Sequence, residues 1–364
     1  VNLAEAIRLR DSSRLPSRRD EDWRWTDLRS LVRALPEPSP LLDAAQLGPG
    51  PFEGICETVV TLANGVGPGA IEVSAGETRT LALRNVARGE GSHAAHLRIT
   101  VAAGAHLTLL ESHEGDGGGL SLLSLEVDLA SGASCERLVI ADGGVDAVSL
   151  VDADVRLGAG AEWAQTLLTN GARRQRLETR VLNPGDGTSV RLDGVYVLSG
   201  RSHADLTSSV THSGPQGQTV QLTRGVVDDQ SRAVFQGRIT VEAGADGTDA
   251  RMAHNALILS DRAEVDARPE LEIYADDVAC AHGATVGALD AELLFYMRQR
   301  GLPEAEARSL LLASFLGEVI DRIQCSAAAG RMRAWLSSRS SPGASAIGPL
   351  STSIAPPRPR SPKL

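Results

Sequence analysis

From about residue 55 onward the chain alternates. Apolar side chains take every second position in short runs, as in Ile99-Val101, Leu125-Val127-Leu129, Val155-Leu157 and Ile239-Val241. Residues two apart on an extended chain share a face, so each run predicts a strand with one buried side. A small triplet recurs between the runs: Ala75-Gly76-Glu77, Ala103-Gly104-Ala105, Ser131-Gly132-Ala133, Ala159-Gly160-Ala161 and Ala243-Gly244-Ala245. Glycines 76, 104, 132 and 160 are each 28 residues apart, and Gly244 lies three further periods beyond Gly160. In the two intervening repeats Gly187 and Gly217 stand one residue out of step. A fixed period of this length marks stacked units. No segment between the strands is long enough for a crossover helix, so each strand must pair with its equivalent one unit away. That arrangement is a parallel β-solenoid. A sandwich of short strands is the competing fold, and the 28-residue beat argues against it.

The ends read differently. Residues 1–54 predict a helical segment and a linker: Asn2 to Arg10 is short and amphipathic, Trp23 and Trp25 sit in a charged stretch, and Pro36, Pro38, Pro40, Pro49 and Pro51 break the pattern. The solenoid is expected over 55–289. Over 290–325 Asp290 can cap a helix from Ala291 to Arg300, closed by Gly301. A second helix starts at Pro303, with Glu304 and Glu306 in its first turn. Its residues Leu312, Phe315, Leu316, Val319, Ile320 and Ile323 form one apolar stripe, to be buried within the chain or against a partner. Residues 326–364 are rich in Ser, Pro and Arg, and beyond a short helix around Met332 to Leu336 they are expected to be disordered.

Composition sharpens this picture. Aromatic residues are only 3% of the chain and glycines number 37, which suits a narrow interior filled by small side chains and frequent tight turns. The net charge of −10 hides an asymmetry: residues 331–364 carry six basic residues and no acidic one, leaving −16 on the rest. Such a body is unsuited to non-specific nucleic-acid binding, which needs a basic stripe. No apolar run approaches the ~18 residues of a membrane span. The start is charged and lacks an apolar signal core, so no secretory signal is expected and a cytoplasmic setting is. Cys56, Cys135, Cys280 and Cys325 are too scattered for a disulfide framework in that setting.

The densest polar stretch runs from Pro269 to Gly287. On a strand Cys280 and His282 would present a thiol and an imidazole on one side, ligands for zinc or an iron–sulfur centre. Stable sites of this kind need three or four ligands, so either the pair is structural or another chain completes it. Asp276 and Asp277 read as turn or capping residues. His93, His96, His106 and His113 form a loose group that reads as surface turn residues, and His203, His212 and His254 as ordinary solenoid positions. No phosphate-binding loop, dinucleotide fingerprint or serine-hydrolase elbow is present.

The run Leu271-Glu272-Ile273-Tyr274-Ala275-Asp276-Asp277-Val278, then Cys280-Ala281-His282-Gly283-Ala284-Thr285-Val286-Gly287, then Leu294-Phe295-Tyr296-Met297-Arg298-Gln299-Arg300-Gly301, resembles the SufB/SufD family of iron–sulfur cluster assembly proteins, in the form of its SufD branch. The start resembles it too, in Pro16, Arg18-Arg19, Glu21-Asp22-Trp23 and Thr26-Asp27-Leu28. The resemblance implies a right-handed parallel β-helix between helical segments and a non-catalytic scaffold subunit. It implies pairing with SufB through the β-helix and binding of the SufC ATPase through the C-terminal helices, where Leu312, Phe315, Leu316 and Val319 would make contact. It places a nascent, transient iron–sulfur cluster at the interface with SufB. His282 and, with it, Cys280 would be ligands there, SufB would supply the remainder, and ATP would enter only through SufC. A homodimer without SufB is a further expectation. Two other classes compete: a secreted-type β-helix enzyme acting on carbohydrate, and a solenoid that only holds partners.

Overall fold

The computed structural model describes residues 2–56 and 58–339. Seventeen strands among them form two parallel sheets of nine and eight strands. The nine-stranded sheet runs from Thr58–Ala63 to Val278–Gly287, and the eight-stranded sheet from Ala70–Val73 to Glu264–Ile273. Successive strands alternate between the sheets, so each pairs with the strands one rung away, and the chain winds as a parallel β-solenoid of about eight turns. The lumen between the sheets is packed with Leu81, Leu97, Leu109, Leu125, Val155 and Ile239.

The glycine beat has a structural source that fades along the chain. Asn85 contacts His113, 28 residues on, and Arg137 contacts Gln165 at the same spacing. Asn183 reaches His212 at 29 and Thr240 reaches Glu272 at 32, so later rungs are longer. Gly76, Gly104, Gly132, Gly160, Gly187 and Gly244 take the left-handed turn conformation. Gly217 does not: Gln216 carries the positive φ of 57° there. Gly217 is required for another reason, since a Cβ on it would lie 2.2 Å from Nδ1 of His212. The same logic holds at Gly225, where a Cβ would fall 1.8 Å from the ring of the fully buried Tyr196. Gly225→Ala is expected to destabilise the chain by about 1–3 kcal/mol or more, seen as a lower urea midpoint. An unchanged midpoint would mean that the Tyr196 ring has room to move.

The helical segments adjoin the solenoid in sequence but clad its outer faces in space. Helices α1 (Leu3–Leu9) and α2 (Leu28–Leu31) cover the eight-stranded sheet, with Leu3, Ile7 and Leu28 packed on Leu122 and Leu150. Arg176 anchors this segment. Its guanidinium lies 4.3 Å from the Trp23 ring, and its Nη1 donates to the Asp22 carbonyl (2.8 Å) and to Asp205 (2.7 Å). After the last strand come α3 (Ala291–Gln299), α4 (Glu304–Ile320) and α5 (Ser326–Arg339). Asp290 caps α3 as expected, accepting from the N–H groups of Glu292 and Leu293, each at 2.9 Å.

Helices α4 and α5 cover the nine-stranded sheet. The buried Glu136 holds the start of α5, accepting from the backbone N–H of Gln324 (2.8 Å) and Cys325 (3.0 Å). Helix α5 is longer than the short helix expected around Met332 to Leu336, because Ala328, Met332, Trp335 and Leu336 all find apolar partners on the sheet. The remainder of the tail expected to be disordered lies outside the described residues. No helix among the described residues is long and apolar enough to cross a membrane.

Candidate metal-ligand pair at the open rim

Strand Val278–Gly287 is the last of its sheet. Cys280 sits opposite Ala250 and His282 opposite Met252, and both partners belong to the lumen core. Register and alternation therefore turn Cys280 and His282 towards the lumen. His282 ends an inward ladder that runs Leu81, Leu109, Arg137, Gln165, Leu192, Gln221, Met252. Every earlier member is covered by the next rung. None covers the last, so Cys280 is only half-buried and His282 is exposed.

The other sheet ends at the same place. Its last strand, Glu264–Ile273, carries Pro269 opposite Gly237. Proline cannot donate to a ladder and is confined to edge strands. The turn between the two end strands contains Asp276 and Asp277, as the sequence suggested, and the Asp277 carbonyl accepts from Gly247 N–H at 2.6 Å.

The two candidate donors lie two residues apart on one strand face, about 6.6 Å along the chain. Burial pushes the Cys280 thiol above its usual range, with Asp249 adding to the shift against a backbone hydrogen bond at Ala250. The thiol is therefore protonated at neutral pH and would have to lose its proton to bind a metal. No group of three or more His, Cys, Asp or Glu able to hold a metal exists among the described residues. Among the described residues no third side chain joins Cys280 and His282 in such a group.

The remaining sequence candidates fall elsewhere. His93, His96, His106 and His113 do not converge on a centre, and they stand in strands rather than in surface turns. His93 Nδ1 contacts Ser39 Oγ (2.9 Å), His96 meets Glu126 (3.1 Å), and His106 Nδ1 meets Ser134 Oγ (2.7 Å). His113 is buried in the lumen, its Nε2–H donating to Glu111 at 2.5 Å. His203, His212 and His254 are buried strand residues, as expected of solenoid positions. The four cysteines are free thiols, of which only Cys135 is fully buried.

The stripe expected to meet a partner is consumed within the chain. Leu312, Leu316 and Val319 are buried against the nine-stranded sheet, in a cluster with Leu138, Val195 and Leu222. Phe315 is partly buried, with the Arg224 guanidinium 4.7 Å from its ring. The apolar side chains these helices expose are others: Leu293, Phe295 and Tyr296 on α3 and Leu310 on α4. The outer sheet face is itself apolar, so it takes up the stripe that the periodicity left without an assigned neighbour.

Sequence reasoning also missed an ion network in the lumen. Arg137 donates to both oxygens of Glu111 (2.7 Å each) and to Gln165 Oε1 (2.8 Å), and Gln165 donates to Thr179 (3.0 Å). The signal was present: Glu111 and His113 follow Leu107 and Leu109 at the inward parity of one strand.

Comparison with known proteins adds the lineage. Residues 84–315 match the family described as SUF system FeS cluster assembly, SufBD core domain. An iron–sulfur cluster assembly SufBD family protein of Synechocystis is 37% identical over 169 residues, 46% of this chain and 37% of the relative. The iron–sulfur cluster assembly protein SufD of Escherichia coli is 35% identical over 162 residues, covering 44% and 38%. The SufD of Bacillus subtilis is 33% identical over 161 residues, covering 44% and 36%. The matched stretch thus spans little more than a third of the length of each of these relatives.

Proposed function

The chain belongs to the SufBD family of SUF-system iron–sulfur cluster assembly proteins, and on that footing we propose that it is a non-catalytic, SufD-like scaffold subunit on which a nascent cluster is assembled. The cluster is cargo, held in passing and shared with a second subunit. The observation that carries this reading is the incomplete rim: Cys280 and His282 face the lumen from the last rung, uncovered, with no third His, Cys, Asp or Glu grouped with them among the described residues. A paralogous solenoid of the SufB type, docked on the open ends of both sheets, would cover that rung and bring the missing ligands.

Edge strands with unpaired backbone groups readily accept a further strand. The rim also carries exposed Ile273, Tyr274 and Val286, which a partner could bury. On this reading SufC binds the exposed face of the C-terminal helices, through Leu293, Phe295, Tyr296 and Leu310 rather than through the buried stripe. ATP acts only through SufC, and the complex works in the cytoplasm.

The test is co-purification with SufB and SufC, followed by anaerobic iron and sulfide analysis. His282→Ala should leave the complex intact and lower cluster yield by about tenfold or more, since a lost metal-site contact costs on that order. Cys280→Ser should lower it as well. Full cluster yield in the His282→Ala complex would remove the ligand role. Failure to co-purify with SufB would remove the shared site.

A further inference from the structure

Directly beneath His282, one rung down the same inward ladder, stands Met252 of strand Thr248–Ile258. Paired positions on neighbouring strands lie about 4.8 Å apart, and residues two apart on one strand about 6.6 Å. Cys280, His282 and Met252 are therefore three corners of one small patch of the inward face. The Met252 side chain reaches across the lumen. A Cβ on Gly237, in the facing sheet, would collide with its sulfur, so the bare glycine makes the room that the sulfur fills.

Met252 is 3% exposed and shares the lumen core with Phe235 and Ala250, whereas Cys280 is half-buried and His282 exposed. The thioether is thus the floor of the open lumen end, and the thiol and the imidazole stand in its wall. An ion arriving from solvent meets the two wall donors first. Methionine is unbranched, with three rotatable bonds, so its sulfur can turn up to an ion already held by the wall.

The donor types select the ion. Thiolate and thioether sulfur suit copper(I), and imidazole accepts it as well. A structural zinc site needs a fourth ligand, whereas copper(I) is stable with three. The thioether is uncharged and carries no proton. Only Cys280 must give up a proton as the metal–sulfur bond forms, and that proton passes to the buffer. The geometry points to a copper(I) site on this chain alone, with Cys280 Sγ, a ring nitrogen of His282 and Met252 Sδ as its ligands. It needs no second subunit, so its test is independent of the proposed cluster role.

The test is anaerobic titration of the full-length protein into the coloured copper(I)–bicinchoninate complex. The protein is expected to withdraw a single equivalent of copper. Met252→Leu, which nearly conserves side-chain volume, should weaken copper binding by about tenfold or more, as should Cys280→Ser and His282→Ala. The double variant Cys56→Ser with Cys325→Ser removes the other two half-buried thiols and should bind copper as the wild type does. The proposal is overturned if the protein withdraws no copper, if folded Met252→Leu holds copper as tightly as the wild type, or if the double variant loses it. Should Met252→Leu fail to fold, copper X-ray absorption on the wild-type protein decides: two sulfurs and one nitrogen around the metal are expected, and a single sulfur overturns the thioether ligand.

Discussion

Arg137→Met is expected to lower stability by about 3–5 kcal/mol, read as a fall in the urea midpoint. Arg137 and Glu111 are both shut inside the lumen, at 1% and 0% exposure. Burial by itself would push the Glu111 carboxyl up. The Arg137 guanidinium, with His113 beside it, more than offsets that and holds the carboxyl at about 2. Removing the guanidinium leaves a buried carboxylate with His113 as its remaining partner, and the lost compensation is what makes single removals of buried ion pairs severe. The double variant Glu111→Leu with Arg137→Met removes both charges and is expected to recover most of the loss, because apolar replacements of a whole buried pair are often neutral. A single variant as stable as the wild type would show that water or a neighbouring group satisfies Glu111 unaided.

Stability should also fall steeply on acidification from pH 6.5 to pH 4. Burial lowers His93, His212 and His254 to about 4, and His203 also to about 4 with Arg174 contributing. In the unfolded chain these imidazoles titrate near 6.5. Between the two values the unfolded state binds the extra protons, so the folded state loses stability as pH drops through that window. Each imidazole contributes a slope approaching about 1.4 kcal/mol per pH unit.

His212 shows the physical cause. Its Nδ1 accepts from the Asn183 amide at 2.8 Å and its Nε2–H donates to Thr219 at 2.8 Å, so an added proton would meet a donor. Glu111 extends the loss to lower pH, because its folded value lies below the unfolded one. Asp152 and Asp193, both raised by burial, oppose the trend. Urea midpoints at pH 7 and pH 4.5 test this balance, and His254→Phe should flatten the slope by the share of one proton. A midpoint that does not move with pH would mean that the buried imidazoles are hydrated.

Much of the architecture was legible in the chain. Alternation at Leu125, Val127 and Leu129, repeated on a 28-residue beat, specifies stacked parallel rungs because each strand has an equivalent partner one turn away. The caps of the C-terminal helices are local as well, since Asp290 bonds residues only two and three positions on. Parity alone puts Cys280 and His282 on one side of their strand. Gly217 was legible only as a glycine of the repeat, fitting a tight turn, whereas its role is to clear the His212 ring.

The sequence by itself determined the rungs and which side chains share a face, because those follow from nearest-neighbour geometry of the backbone. It did not determine where the outer faces are covered, since each of them carries an apolar patch among polar positions, and chain from either end packs on those patches. Only the tertiary structure joined Arg176 to Asp22 and Trp23, buried Leu316 and Val319 on the sheet, and left His282 uncovered on the last rung. Those are contacts between segments far apart in the chain, and no local periodicity encodes them.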